Sequence, residues 1–102
     1  MTTLVVLFNL KPGVAVAAYE SWARGTDLPI VRKLPSVKQF RVLRCAGLLG
    51  GGGKPPYQYV EILELTSAEQ LGSEVQSPEM QRVVSEFAGF ADAPSFIVTE
   101  EL

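Results

Sequence analysis

The chain contains no histidine and a single cysteine, Cys45. Without an imidazole there can be no Ser-His-Asp or Cys-His nucleophile. A two-histidine zinc helix and a histidine-ligated haem are excluded as well. One cysteine cannot form an internal disulfide, which fits a reducing compartment. Basic residues are scarce: nine Lys and Arg against eleven Asp and Glu give a net charge of −2. A nucleic-acid binder needs a basic patch to neutralise phosphates, and a membrane-surface protein needs a polybasic cluster, so both classes are disfavoured. No apolar run approaches the roughly 20 residues that span a bilayer. The first residues, Met1-Thr2-Thr3-Leu4, lack the basic start of a secretory signal. The expectation is one soluble, cytoplasmic domain over residues 1–102, free of cofactor and metal.

Hydrophobic residues, by contrast, are plentiful. They make up 47% of the chain, and mean hydropathy is +0.19. Leu4–Leu10 is an apolar, β-branched run and predicts a strand, which Lys11-Pro12-Gly13 breaks. Val14–Arg24 predicts a helix ended by Gly25. A short helical piece follows, capped by Thr26 or Asp27, with Pro29 in its first turn and its end at Leu34, before Pro35. Val37–Cys45 and Tyr57–Leu65 predict strands joined by a loop holding Gly50–Gly53, Pro55 and Pro56. Ser67-Ala68-Glu69-Gln70 has capping-box spacing and opens a short helix. Ser77-Pro78 opens another, whose Met80, Val83, Val84 and Phe87 make one apolar face before Gly89 ends it. Ser95–Glu101 predicts the last strand. The order β-α-β-β-α-β is that of a ferredoxin-like α+β fold, an antiparallel sheet with helices on one face. The first strand is apolar on both faces, so a monomer would leave one sheet face bare. A second copy covers it most simply, which predicts a homodimer joined through its sheets.

Few polar groups remain for chemistry. Gly50-Gly51-Gly52-Gly53-Lys54 lacks the following Ser/Thr and helix of a phosphate loop, so a mobile hairpin loop is the better reading. Cys45 has no neighbour in sequence that would activate it and reads as an inert thiol. Asp27 is either a helix cap or a catalytic acid. Glu61 alternates with Tyr59 and Leu63 on one side of its strand. On the helix side it would be a carboxylate in an apolar cavity, with its pKa raised toward neutrality. On the other side it would be an ion-pair member at the dimer contact. Asn9 either orients a ligand carbonyl or satisfies a turn. Tyr19, Trp22 and Tyr59 could hold a flat apolar ligand, and Arg32 an anionic group of it.

The Tyr19…Trp22 helix, the Asp27-Leu28-Pro29-Ile30-Val31-Arg32-Lys33-Leu34-Pro35 run and Tyr57-Gln58-Tyr59-Val60-Glu61 leading to Ser77-Pro78-Glu79-Met80 carry a resemblance. With them the chain resembles the dimeric α+β barrel superfamily and its EthD-like group. Within that group it is most similar to RedY-like proteins found with prodiginine (prodigiosin, red tripyrrole pigment) biosynthesis. The resemblance spans the whole chain. It implies a homodimer with a ligand cavity in each subunit between sheet and helices. It also implies action on aromatic or polyketide-like intermediates, as cyclase, isomerase, hydrolase or cofactor-free monooxygenase. A histidine common in that group two residues before the proline is here Asp27, so a mechanism through imidazole does not transfer. The expected activity is proton transfer by Glu61 or Asp27 on a flat pyrrolic or polyketide-like intermediate, during cyclisation, condensation or hydrolysis. Two other readings stand beside it. One is a carrier that delivers such an intermediate to a larger biosynthetic enzyme. The other is a monooxygenase using Trp22, Asn9 and Tyr59.

Overall fold

A computed structural model describes residues 2–102. Its elements are β1 (Thr2–Leu10), α1 (Val16–Trp22), a π-helical turn (Ala23–Asp27), α2 (Leu28–Val31), β2 (Val37–Arg44), β3 (Tyr59–Leu65), α3 (Ala68–Glu74), α4 (Pro78–Phe90) and β4 (Ala91–Glu100). The strands form one sheet in the order β2-β3-β1-β4, with every neighbouring pair antiparallel. This is the ferredoxin-like α+β arrangement expected from the sequence. Gly13 turns the chain out of β1 with φ +86°, a conformation that glycine adopts without strain. No helix among the described residues is long and apolar enough to cross a membrane.

The first helix departs from expectation. Gly25 does not end it, and neither Thr26 nor Asp27 caps a new one. Asp27 has helical φ and ψ and its side chain makes no capping bond. The helix instead widens, and the Leu28 N–H donates to Ala23 O, five residues back. Pro29 supplies the reason. It has no N–H for the carbonyl of Gly25, and its ring crowds that carbonyl. A wider turn accommodates this without breaking the helix. The result is that Tyr19, Ala23, Asp27 and Val31, four residues apart each time, are all buried. In a regular α-helix each step of four overshoots one turn by about 40°. The π turn takes up part of that drift and keeps the stripe on the sheet.

Other boundaries shift for local reasons. β3 starts at Tyr59, two residues later than expected, because side chains replace the ladder there. The Gln58 N–H donates to Asn9 Oδ1 (2.9 Å) and the Leu10 N–H to Gln58 Oε1 (2.6 Å). α4 runs through Gly89 to Phe90, whose ring packs on Trp22 (5.2 Å) and Tyr19 (5.7 Å). β4 begins at Ala91 and passes an irregularity opposite Leu7–Asn9, with Ala93 at φ 44° beside Pro94. A proline is tolerated here because β4 is an edge strand. Ser67 and Ser77 cap α3 and α4 as their spacing predicts, accepting from the N–H groups of Gln70 and Met80.

The core lies between the sheet and the helices. Val6, Phe8 and Leu10 of β1 and Tyr59, Leu63 and Leu65 of β3 meet Tyr19, Ala23, Val31, Met80 and Val83. The other sheet face carries no helix, yet the register brings Val5, Leu7, Leu43, Val60, Ile62 and Ile97 together on it. An apolar surface of this extent calls for a cover. Sedimentation at micromolar concentration is expected to give twice the 11.1 kDa chain mass. Ile62→Glu, at the middle of this face, should return the single-chain mass with the circular dichroism unchanged. A wild-type chain that sediments as a monomer would mean that the face stands bare to water.

Candidate functional site

A cavity of about 130 Å³ lies between the sheet and the helical layer. Its walls include Val6, Phe40, Leu63, Met80, Val83 and Phe87, and its only polar side chains are Asp27 and Glu61. Glu61 comes from β3. Period-two alternation turns Tyr59, Glu61, Leu63 and Leu65 to the helices, which decides between the two sides left open by the sequence. Its strand neighbours are Val6 and Val42. Asp27 arrives from the opposite wall at the end of the π turn. The helix-cap reading of Asp27 is therefore overturned, because its carboxyl is buried (4% exposed) and caps nothing.

Among the described residues, neither carboxyl has a cation beside it. Glu61 Oε2 and the Tyr19 hydroxyl are both buried without a hydrogen-bond partner. They lie near enough to affect one another's ionisation without closing a good hydrogen bond. Burial pushes Glu61 up to about 8, and the neighbouring Asp27 charge adds to the rise. Burial pushes Asp27 up to about 7. The two titrate as a pair and hold at least one proton at neutral pH. Tyr19, desolvated and facing both carboxyls, is driven far above the ordinary phenol range and stays a hydroxyl.

On the far side of Tyr19 is a shallow cleft of about 190 Å³, lined by Tyr19, Glu20, Ala23, Arg24, Leu28, Val42, Arg44 and Tyr59. Glu20 accepts from Arg44 Nε (2.7 Å) and Nη2 (2.6 Å) and from the Tyr59 hydroxyl (2.7 Å). The Arg44 and Tyr59 hydrogen bonds hold its carboxyl down at about 2. Burial, followed by the Glu20 contact, pushes Tyr59 up to about 12. Neither group can exchange a proton near neutrality. Sequence reasoning did not single out this ion pair. Its 24-residue separation leaves no local signal, although Glu20 sits one residue past Tyr19.

The remaining candidates are dispersed. Trp22 donates its indole N–H to Glu86 Oε1 (2.8 Å) and packs against Phe90 and Phe87. Asn9 is occupied by backbone, donating to Pro56 O (3.2 Å) and accepting from Gln58 N–H, which is the turn-satisfying alternative. Arg32 points its Nε at Phe40 O (3.1 Å) on an exposed surface. Asp27 and Glu61 share the cavity and Tyr19 lies next to them, but Tyr19, like Asn9, Trp22, Arg32 and Tyr59, does not line it. No group of three or more metal-ligating side chains occurs among the described residues.

The raised carboxyls have a signed consequence for stability. Both bind a proton more tightly in the folded chain than in the unfolded one. Their contribution is therefore full below the unfolded values near 4 and is lost as pH rises through about 7 to 8. Each group costs up to about 1.4 kcal/mol per pH unit across that window. The wild-type melting temperature should fall from about pH 5 to about pH 9. Glu61→Gln should flatten the fall and melt higher than wild type at the alkaline end. Parallel wild-type and variant curves would show that Glu61 is not buried as an acid.

The family model described as REDY-like protein HapK matches residues 2–102. Among curated proteins, the chain is 33% identical over 76 residues to an uncharacterized 11.0 kDa protein from the thcB-thcC intergenic region of Rhodococcus erythropolis, covering 74% of this chain and 71% of that protein. Among solved structures it is similar to HapK from Hahella chejuensis, at 26% identity and TM-score 0.81 over 100% of this chain and 93% of HapK. An EthD family protein from Bacillus halodurans shares the fold at 20% identity and TM-score 0.78, covering 100% of this chain and 99% of its own. So does a dimeric ferredoxin-like protein from Thermobifida fusca, at 13% identity and TM-score 0.75, covering 98% and 90%. The chain belongs to the REDY-like HapK family.

Proposed function

We propose that this protein is a small cofactor-free acid–base catalyst of secondary metabolism, working as a homodimer with one cavity per subunit. Its substrate is a flat, mostly apolar intermediate, pyrrolic or polyketide-like, that undergoes cyclisation, condensation or hydrolysis. The observation that carries this reading is the pair of buried, cation-free carboxyls, Asp27 and Glu61, in an otherwise apolar cavity. Membership of the REDY-like family supports the metabolic setting. The bare apolar sheet face and the dimeric relative support the homodimer.

In this reading the carboxyl of the pair that is ionised removes a proton from the bound intermediate. The other holds or returns the second proton, so that at neutral pH the pair carries no more than one charge. The Tyr19 hydroxyl remains protonated and, lying beside Glu61, favours the ionised form of that carboxyl. The apolar walls exclude water, which strengthens these interactions.

Incubating the purified protein with flat apolar intermediates, with and without oxygen, tests the reading. Turnover without oxygen supports it. Oxygen dependence would instead point to the monooxygenase, and binding without turnover to a carrier for a larger biosynthetic enzyme. Glu61→Gln keeps size and shape but loses the base, and should lower the rate by roughly 10²–10⁴ while binding persists. Glu20→Gln, across Tyr19, should stay within severalfold of wild type. A fully active Glu61→Gln together with a fully active Asp27→Asn would end the carboxylate mechanism.

A further inference from the structure

We infer that the cavity admits a single five- or six-membered ring carrying an N–H or O–H donor, neutral or cationic, which enters between α4 and β4 and donates to Glu61 Oε2. The inference deepens the proposed function and rests on its reading of this cavity as the ligand site. Size comes first. A dry cavity of about 150 Å³ holds one benzene ring, and this one measures about 130 Å³. Two fused or linked rings do not fit inside. Polarity comes second. Glu61 Oε2 is buried with no partner, and leaving such an acceptor unmet is costly. A ligand that brings a donor removes that cost, whereas a purely apolar ring leaves it in place.

Charge comes third. The titratable groups facing Glu61 are Asp27 from the π turn and Tyr19 from α1, while the walls from all four strands, α2, α3 and α4 are otherwise apolar. No Lys or Arg lines the cavity. An anionic ring would sit beside two carboxyls with no counter-charge and is rejected. The entrance follows from exposure. Most of the wall is buried, but Val84 is 46% and Phe96 59% exposed. The same face of β4 continues to Val98, 60% exposed. A substrate larger than one ring therefore inserts its donor-bearing ring and lays the rest along this apolar lip.

Aniline, toluene and benzoate are similar in size and differ in the property at issue. Calorimetric titration of each into the full chain at about pH 9, where Glu61 is ionised, tests the inference. Aniline should bind at least tenfold more tightly than toluene, and benzoate should not bind. Glu61→Leu should reverse the preference toward toluene. Glu61→Gln, which keeps an acceptor oxygen, should still favour aniline. Equal binding of aniline and toluene overturns the donor requirement, and measurable benzoate binding overturns the charge exclusion. Failure of all three to bind at millimolar concentration overturns the ring assignment. These are binding measurements, so they stand or fall separately from the proton-transfer rates of Glu61→Gln.

Discussion

The helical layer is organised by the burial of Tyr19. Its ring is fully enclosed and meets Phe8, Tyr59, Phe90 and Trp22 at centroid distances of 5.5, 4.8, 5.7 and 6.1 Å. These contacts fix α1 on the sheet and bring in the end of α4. They also make the ring a wall between two carboxylate environments. On one side Glu20 is clamped by a guanidinium and a phenol and stays charged at any physiological pH. On the other, Asp27 and Glu61 are stripped of water and cations and titrate near neutrality. Titratable groups pushed apart by their surroundings are the usual mark of divided acid–base roles. Here only the inner pair can exchange a proton, and the outer pair serves to hold Tyr59 and β2 against α1.

How much of this was legible in the sequence depends on the range of the signal. The four strands and α4 were legible because their apolar spacing is local and strong, as in Met80, Val83 and Phe87. The two serine caps were legible for the same reason. Glu61 was legible up to one bit, the face of β3, which tertiary packing alone decides. Asp27 stayed open between a helix cap and a catalytic acid because Gly25 and Pro29 usually mark helix ends. Their combined effect was a widened turn, and a π turn has no reliable sequence mark. The spacing Tyr19, Ala23, Asp27, Val31 was visible but did not decide the matter, since a step of four fits an α-helix only approximately. The Gln58 N–H donates to Asn9 Oδ1 across 49 residues, beyond the reach of any local pattern.

The absence of histidine now has a physical counterpart. At their ordinary values near 4, carboxylates are weak bases and, at neutral pH, are almost never acids. An imidazole near 6.5 can be either. Two carboxyls buried together without a cation reach the same range by a different route. Desolvation raises each of them, and mutual repulsion keeps the second proton on. The cost is stability at alkaline pH, which a small domain tolerates only if the rest of its core is well packed. The aromatic cluster around Phe8 and Tyr19 meets that condition. A π turn that keeps Asp27 turned inward is what lets this chain place a second carboxyl beside Glu61 and hold a proton at neutral pH without an imidazole.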